Sequence, residues 1–438
     1  MTVEKVELFF LVYDGIISSS VFESQVLGLI KNLSKGENLK ITLIAFENIK
    51  LFFWQYKKLS DIKKHFKNFK VHTLFLPRCS GKIGLFINGV FLFFYFLTKI
   101  IFGRKEKIIF HCRGCKASFI GINLKKFFPQ IKVISDQRGL EAEEYLLSQA
   151  YKNIKSKKNT LDRYEWFKVC EKKSLKESDH IFCVSGKYKE YLTKEYSIMS
   201  EKISVIPCGF DSSIFNFHQE IREKVRKQLK LKNNLVFVYS GSLAFYQMPE
   251  VVVLFFKRFL EYDDSACLLF LTNQVSVAEK LIAKEMIPKS NYLVLQLNHE
   301  EVAQYLMAAD VGFLLRKEDL MNKVACPVKF SEYVSCGLHP ILTQGLGDLT
   351  EIVRKRDIGS IMEDFSDLNI DLMVKNIINK KGEIQDESIK SRVARLALEL
   401  FSWEELVPII YKNYECLFDK PSENPGQETQ RQSQVFQE

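Results

Sequence analysis

Residues 311–342 read VGFLLRKEDLMNKVACPVKFSEYVSCGLHPIL. The run Val311 to Leu315 is short, apolar and strand-like. A polar turn follows, opening on Arg316, Lys317, Glu318 and holding Asn322. Pro327 is placed to open a helix in its first turn, because its missing N–H would have no intrahelical acceptor there. Gly337 to Pro340 then turns the chain into a second strand at Pro340 to Leu342. A helix that starts just past a strand end aims its free N–H groups and the positive end of its dipole at whatever lies beyond the strand, a position that suits phosphate. Glu332 sits about a turn and a half into this helix, where a carboxylate can accept from vicinal hydroxyls such as those of ribose. A helix glutamate is ordinarily solvated surface. The strand end, the proline, Arg316 and Lys329 around it make this one a candidate.

The alternation of short β-branched runs with helix-length segments holds from one end of the chain to the other, the pattern of parallel sheets wrapped by helices. In the first half, strands are expected at Val6–Val12, Leu39–Ala45, Val71–Leu76, Ile108–His111, Lys132–Ser135 and Ile181–Val184, with a short one at Ile203–Ile206. In the second they are expected at Leu235–Tyr239, Leu268–Leu271, Tyr292–Leu295, Val311–Leu315 and Pro340–Leu342. Two open α/β sheets in tandem follow. The expected division is an N-terminal Rossmann-like domain over 1–206, a linker and first helix over 207–233, and a second domain over 234–387. Helices over 388–419 are expected to pack back toward the first domain, with Trp403 in the junction, and 420–438 is expected to be a disordered tail, being rich in Gln, Ser, Glu and Pro.

At 438 residues, with 47% hydrophobic and 26% charged residues, the chain can bury two cores. Its ten cysteines are scattered, several within apolar runs, and no signal peptide opens it, so a reduced cytoplasmic setting is expected. The net charge of +10 is spread over the whole chain and points to no single partner. Basic and aromatic residues do not interleave as in nucleic-acid binders, so none is expected. Ile83 to Thr98 carries no charge. Because strands are expected on both sides of it, a spanning helix would put partners of one sheet on opposite faces of a bilayer. The reading is a helix buried in the core or resting on a membrane surface, with peripheral contact at the inner face of the plasma membrane.

In such sheets ligands bind beyond the carboxyl ends of the strands. Beyond those of the first half lie the loop Asp14, Gly15, Ile16, Ile17, Ser18, then His111, Cys112, Arg113, Gly114, and then Asp136, Gln137, Arg138, Gly139 with Glu143 and Glu144. Gly15, Ser18, Asp136 and Arg138 are the acceptor-side candidates. Cys112 and Cys115 form a C-x-x-C with no second pair at metal spacing, so buried thiols are expected and no metal site is assigned. No D-x-D triplet occurs, which favours metal-independent chemistry.

The order of these pieces resembles the retaining glycosyltransferases of family 4, which have the GT-B fold. Tyr239, Ser240, Gly241, Ser242, Leu243 resembles that family's glycine loop. Asn298, His299, Glu300, Glu301, Val302 resembles the segment before its donor site, Gly345 to Asp348 its later glycine turn, and Val205 to Asp211 its domain junction. The resemblance implies two Rossmann-like doubly wound parallel-sheet domains facing each other across a cleft, with a nucleotide-sugar as donor substrate, no separate cofactor, and a sugar or lipid-linked saccharide as acceptor. It implies donor contacts from Gly241, Ser242, Asn298, Asn322, Cys326, Pro327, Val328 and Glu332, and a sugar contact from His111. Two departures stand out. The first of the family's two glutamates is replaced by Val324, and the Arg and Lys of its glycine loop by Ser242 and Gln247. Arg316 and Lys329 are therefore expected to supply the charge against the diphosphate. The expected function is glycosyl transfer, with retention, in surface polysaccharide or glycolipid synthesis. The rivals are a nucleotide-sugar epimerase of the same fold and a non-catalytic basic protein that binds membrane or nucleotide.

Overall fold

A computed structural model of the chain describes residues 6–17, 21–36, 38–79, 81–102, 107–151, 157–231 and 233–418. The expected tail, 420–438, and Ser18 lie outside the described residues. The chain divides into two compact units, the first formed by residues up to 207 together with those from 407 onward, the second by 208–406.

The first unit is built on β1 (Val6–Val12), β2 (Leu39–Asn48), β3 (His72–Arg78), β4 (Lys107–Arg113), β5 (Ile131–Gln137), β6 (His180–Cys183) and β7 (Ile203–Val205). They lie in the order β3-β2-β1-β4-β5-β6-β7 and every pairing is parallel. Strands buried on both faces need continuous apolar runs, and β1 and β4 supply them. Phe9, Phe96 and Phe110 meet at centroid distances of 4.7 to 5.5 Å in the core beneath the helix Gly81–Phe102. That helix connects β3 to β4 of one sheet and buries Leu85, Leu92 and Phe96, so both of its ends lie on one side of any bilayer.

The second unit is built on β8 (Val236–Ser240), β9 (Cys267–Leu271), β10 (Tyr292–Leu295), β11 (Val311–Leu314), β12 (His339–Thr343) and β13 (Ser360–Met362), in the order β10-β9-β8-β11-β12-β13 and again all parallel. Counted within each unit, the second sheet runs 3-2-1-4-5-6, the Rossmann order, and the first runs the same with β7 added at the edge; both reverse direction between the first strand and the fourth. The fold class is thus as expected, a pair of Rossmann-like domains. The sequence reading missed β13, whose three residues are too few to show a period, while the short run expected at 203–206 is the edge strand β7 of the first sheet. Trp403 is fully buried inside the second unit, its ring against Gly209, where a Cβ would come within 2.7 Å of it. The helix Glu387–Phe401 also belongs to that unit. Only residues from 407 onward join the first, where the Tyr411 hydroxyl donates to the Leu33 carbonyl.

At the amino end of β11 the second unit buries an ionic network. The Asp310 carboxylate accepts from the Val236 N–H at 2.9 Å, Arg222 at 2.6 Å, Arg226 at 3.2 Å and Lys390 at 3.1 Å. Burial acts to raise the carboxyl's pKa, and the three cations outweigh it, holding it at about 2. Removing one charge from such a network strands the others in a low-dielectric interior. Asp310→Asn is expected to lower stability by about 3–5 kcal/mol, read as a fall in urea midpoint with the slope unchanged.

His339, paired with Ser360 Oγ at 2.8 Å across β12 and β13, is held at about 3 by burial, which disfavours the charged ring. The unfolded chain therefore protonates this residue first as pH falls. Its contribution to stability is complete above the ordinary histidine pKa of about 6.5 and is lost progressively below it. His339→Gln is expected to flatten the fall of the urea midpoint between pH 6.5 and 4, and an equal slope in both proteins would refute the assignment.

Candidate functional site

The order reversal of the second sheet lies between β8 and β11, and there the ladder is short. It pairs Val311 with Phe237 and Gly312 with Val238, then stops. Beyond that point the Tyr333 hydroxyl takes over. It accepts from the Ser240 N–H at 3.0 Å and faces the Phe313 carbonyl at 3.4 Å. Gly312 makes room for it, since a Cβ there would stand 2.6 Å from the Tyr333 ring. Tyr333 belongs to the helix Val328–Ser335, so this bridge fixes the helix to the strand ends. Its other anchors are Ser331 Oγ, which donates to the Cys208 carbonyl at 3.1 Å, and Cys326 Sγ, which accepts from the Cys208 N–H at 3.5 Å. Pro327 is the N-cap of this helix rather than its first residue, one position earlier than expected. It has no side-chain cap and no acidic residue follows in the first turn, so the helix's own side chains leave its positive end unneutralised.

Arg316 leaves the end of β11. Its N–H donates to Thr343 Oγ1 at 2.7 Å, and its guanidinium lies 5.2 Å from the centre of the Tyr246 ring, in the loop that follows Gly241 and Ser242. No carboxylate among the described residues pairs with it, and its Nε is buried without an acceptor. Burial draws its pKa down, opposed by Tyr246, Tyr239 and Tyr333. A guanidinium stays charged even so, which leaves a half-buried cation at the reversal point with no carboxylate partner among the described residues. The loop opposite is fixed by its own side chains. The Tyr239 hydroxyl reaches the Ser242 carbonyl at 2.5 Å, and Gln247 Nε2 donates to Ser242 Oγ at 2.8 Å. Gln247, standing where a cation was expected, braces the loop and brings no charge.

Glu332 is 1% exposed and is bound by Lys329, Nζ to Oε2 at 2.7 Å. It is no solvated surface residue, and the Lys329 charge is shared with it. Asn322 is buried, its amide donating to the Lys317 carbonyl at 2.7 Å, while Asn298 caps the helix His299–Ala308 in a reciprocal box with Glu301. Both side chains are engaged in their own loops.

In the first unit the corresponding places are filled from within. Gly15 is buried with φ of +107°, and the N–H groups of Ile16 and Ile17 both donate to Glu47 Oε2, at 2.8 and 2.6 Å. At the start of the helix Gly114–Lys125 the Cys115 N–H donates to Glu141 Oε1 at 2.6 Å. His111 is wholly buried, with Nδ1 2.6 Å from the Tyr414 hydroxyl and Nε2 3.2 Å from Asp136. Burial lowers its pKa, opposed by Asp136. Asp136 is itself 1% exposed and held low by Arg138, His111 and Arg113 against the opposing effect of burial. The structure thus brings His111, Asp136 and Arg138 together as one interior network. Cys112 and Cys115 are buried, with burial pushing both thiols up. The sequence reading overlooked Glu47, Glu141, Tyr246 and Tyr333. Glu47 alone gave a signal, as a carboxylate closing the apolar run Leu43 to Phe46.

Residues 66–214 match the family model described as Glycosyltransferase Family 4. Over that segment the chain is similar to glycosyltransferase family 4. The matched segment runs from before β3 to just past β7 and includes His111, Asp136 and Arg138. No curated protein matches the chain by sequence. Among solved structures, Anabaena Alr3699/HepE in complex with UDP is 12% identical with a TM-score of 0.68, covering 94% of this chain and 100% of that one. Sucrose-phosphate synthase from Thermosynechococcus elongatus is 16% identical, with a TM-score of 0.68 over 94% and 99% of the two chains. WaaG, a glycosyltransferase involved in lipopolysaccharide biosynthesis, is 13% identical, with a TM-score of 0.59 over 95% and 100%. At these identities the likeness establishes the fold alone, GT-B.

Proposed function

We propose that the chain transfers a glycosyl group from a nucleotide-sugar held by the second unit to an acceptor held by the first. The observation that carries this reading is the Arg316 guanidinium, half-buried at the reversal of the second sheet, with Nε lacking an acceptor and no carboxylate partner among the described residues. A diphosphate is the ligand that place fits. Arg316 and the uncapped end of the helix Val328–Ser335 would meet its oxygens. As the bond from the anomeric carbon to the phosphate oxygen breaks, negative charge gathers on that oxygen, and a cation already held in place stabilises it without reorganising. Glu332 would accept from the ribose hydroxyls through its remaining lone pairs, with Lys329 holding it in place and lending part of its charge to the phosphates.

The filled nests of the first unit support the same division. Glu47 and Glu141 occupy the amides that a second nucleotide would need. Retention of configuration is part of the proposal on the strength of the family 4 relation. In it the leaving phosphate oxygen takes the acceptor's proton as the acceptor oxygen bonds to the anomeric carbon, so no separate base and no metal are called on. His111 acts as a positioning residue for the acceptor wall through Asp136 and Arg138. HepE in complex with UDP and UDP-glucose supports a nucleoside diphosphate as the leaving group. WaaG's involvement in lipopolysaccharide synthesis supports a surface glycan or glycolipid made at the cytoplasmic face of a membrane.

Charge-assisted hydrogen bonds contribute about 1.5–3 kcal/mol. Arg316→Ala is therefore expected to weaken binding of the cognate nucleoside diphosphate at least tenfold by calorimetry, and Lys329→Ala by less. Unchanged affinity in Arg316→Ala would remove the basis of the reading.

Glu332→Gln separates the ribose from the phosphates. It is expected to weaken the nucleoside diphosphate about tenfold, a difference of about 1.4 kcal/mol, while leaving inorganic diphosphate unchanged. Equal losses for both ligands would show that Glu332 supports the fold of the site and does not touch the nucleoside.

A further inference from the structure

The first unit carries a cavity of about 370 Å³ whose wall includes Tyr13, Arg78, Lys82, Lys116, Arg163 and Trp166. It opens where β1 and β3 end, since Tyr13 follows β1 and Arg78 closes β3. Of its four cations Lys116 is neutralised, with Asp14 at 3.3 Å and Glu141 at 3.1 Å. The other three have no carboxylate partner among the described residues. Arg78 donates from Nη1 to the Tyr13 carbonyl at 2.9 Å, the Lys82 ammonium stands 5.4 Å from the centre of the Trp166 ring, and the Arg163 guanidinium lies over Tyr145 and Phe167 at 5.2 and 5.7 Å. Asp162 is the single carboxylate on the wall. Three unpaired cations against one anion leave the cavity short of negative charge by about the amount a phosphate or diphosphate brings.

Beside it lies an apolar surface. The helix Gly81–Phe102 gives Lys82 and Leu85 to the cavity wall and turns Ile83, Phe86, Ile87, Val90, Phe91 and Phe94 outward, with Ile83 76% and Phe86 72% exposed. Their spacing of three, one, three, one and three residues forms a single stripe, about 17 Å long at the helical rise. The stripe begins at the residue next to Lys82. Asn88 fixes the helix to the cavity. Its Oδ1 accepts from the Tyr13 hydroxyl at 3.0 Å and the Cys79 N–H at 3.1 Å, and its Nδ2 donates to the Pro77 carbonyl at 3.1 Å. Solvent-exposed apolar stripes of this length mark binding surfaces.

We propose that the cavity and the stripe form one site for an amphiphilic acceptor, an isoprenoid or acyl chain linked to a saccharide through phosphate or diphosphate. The cations take the phosphate and the stripe takes the first stretch of the chain. This deepens the reading of the first unit as the acceptor's and rests on it. Charge complementarity chooses the occupant. A second copy of a basic chain brings no anion for Arg78, Lys82 and Arg163, and a neutral bilayer leaves the cavity empty.

The test uses the full chain carrying Arg316→Ala, which silences the second unit's anion site, and measures calorimetric binding of farnesyl diphosphate, inorganic diphosphate and farnesol. Farnesyl diphosphate is expected to bind at least tenfold more tightly than either of the others. Lys82→Ala with Arg163→Ala is expected to abolish this advantage over farnesol. Ile83→Ser with Phe91→Ser is expected to abolish its advantage over inorganic diphosphate, whose own binding stays. All four side chains are exposed or half-exposed, and unchanged melting temperatures confirm the fold. The proposal is overturned if inorganic diphosphate binds as tightly as farnesyl diphosphate, which would mean a free phosphate site. It is overturned equally if the serine variants abolish only self-association or only pelleting with neutral phosphatidylcholine vesicles. Nucleoside diphosphate binding to the unsubstituted chain is measured alongside, so failure of the donor site registers separately from failure of this one.

Discussion

The hydroxyl of Tyr333 stands where the ladder between β8 and β11 gives out. Two parallel strands that diverge must leave backbone groups without partners, and a buried unpaired N–H costs about as much as a lost hydrogen bond. By taking the Ser240 N–H and facing the Phe313 carbonyl, Tyr333 lets the strands separate without that loss. The separation sends the Gly241 loop one way and Arg316 the other. It also sets the register of the helix Val328–Ser335, because its residue 333 is fixed at the sheet, so Glu332 and Lys329 have one place to be. Gly312 is the condition for all of this, as any side chain there would displace the ring.

The two units repeat one topology and finish it differently. Each has a strand-order reversal with N–H groups pointing outward, an arrangement that attracts anions whatever its sequence. In the first unit carboxylates of the chain itself, Glu47 and Glu141, occupy those positions. In the second unit no carboxylate among the described residues pairs with Arg316. An internal carboxylate is always present at high effective concentration, so an incoming phosphate would have to displace it. The same fold therefore closes these amides with its own carboxylates in one unit and sets a half-buried arginine without such a partner among the described residues at the same place in the other.

Most of the architecture was legible because strands buried on both faces must be written as unbroken apolar runs. Leu8 to Val12, Ile41 to Phe46 and Phe237 to Tyr239 admit little else. The three residues of β13 carry too short a run to rise above their surroundings. The fate of His111 was present in the sequence but easily misread. It lies within the run Ile108 to Cys112 and not after it, and a side chain in the middle of a central parallel strand has no route to solvent. Glu332 shows the opposite case. Its helix looks amphipathic enough for an exposed glutamate, and only the approach of Cys208 and the strand ends buries it.

Net charge was a poor guide for a related reason. Nearly all the basic residues that contribute to it are solvated or paired, as Lys116, Arg222, Arg226 and Lys390 are. What distinguishes Arg316 is a half-buried place without a carboxylate partner among the described residues, and that depends on which loops converge. Arg316 differs from Arg222 in nothing a sequence records. One meets Asp310 and holds a sheet together. The other meets three tyrosines, which help to desolvate it and cannot neutralise it, and it is the missing neutralisation that makes it a site.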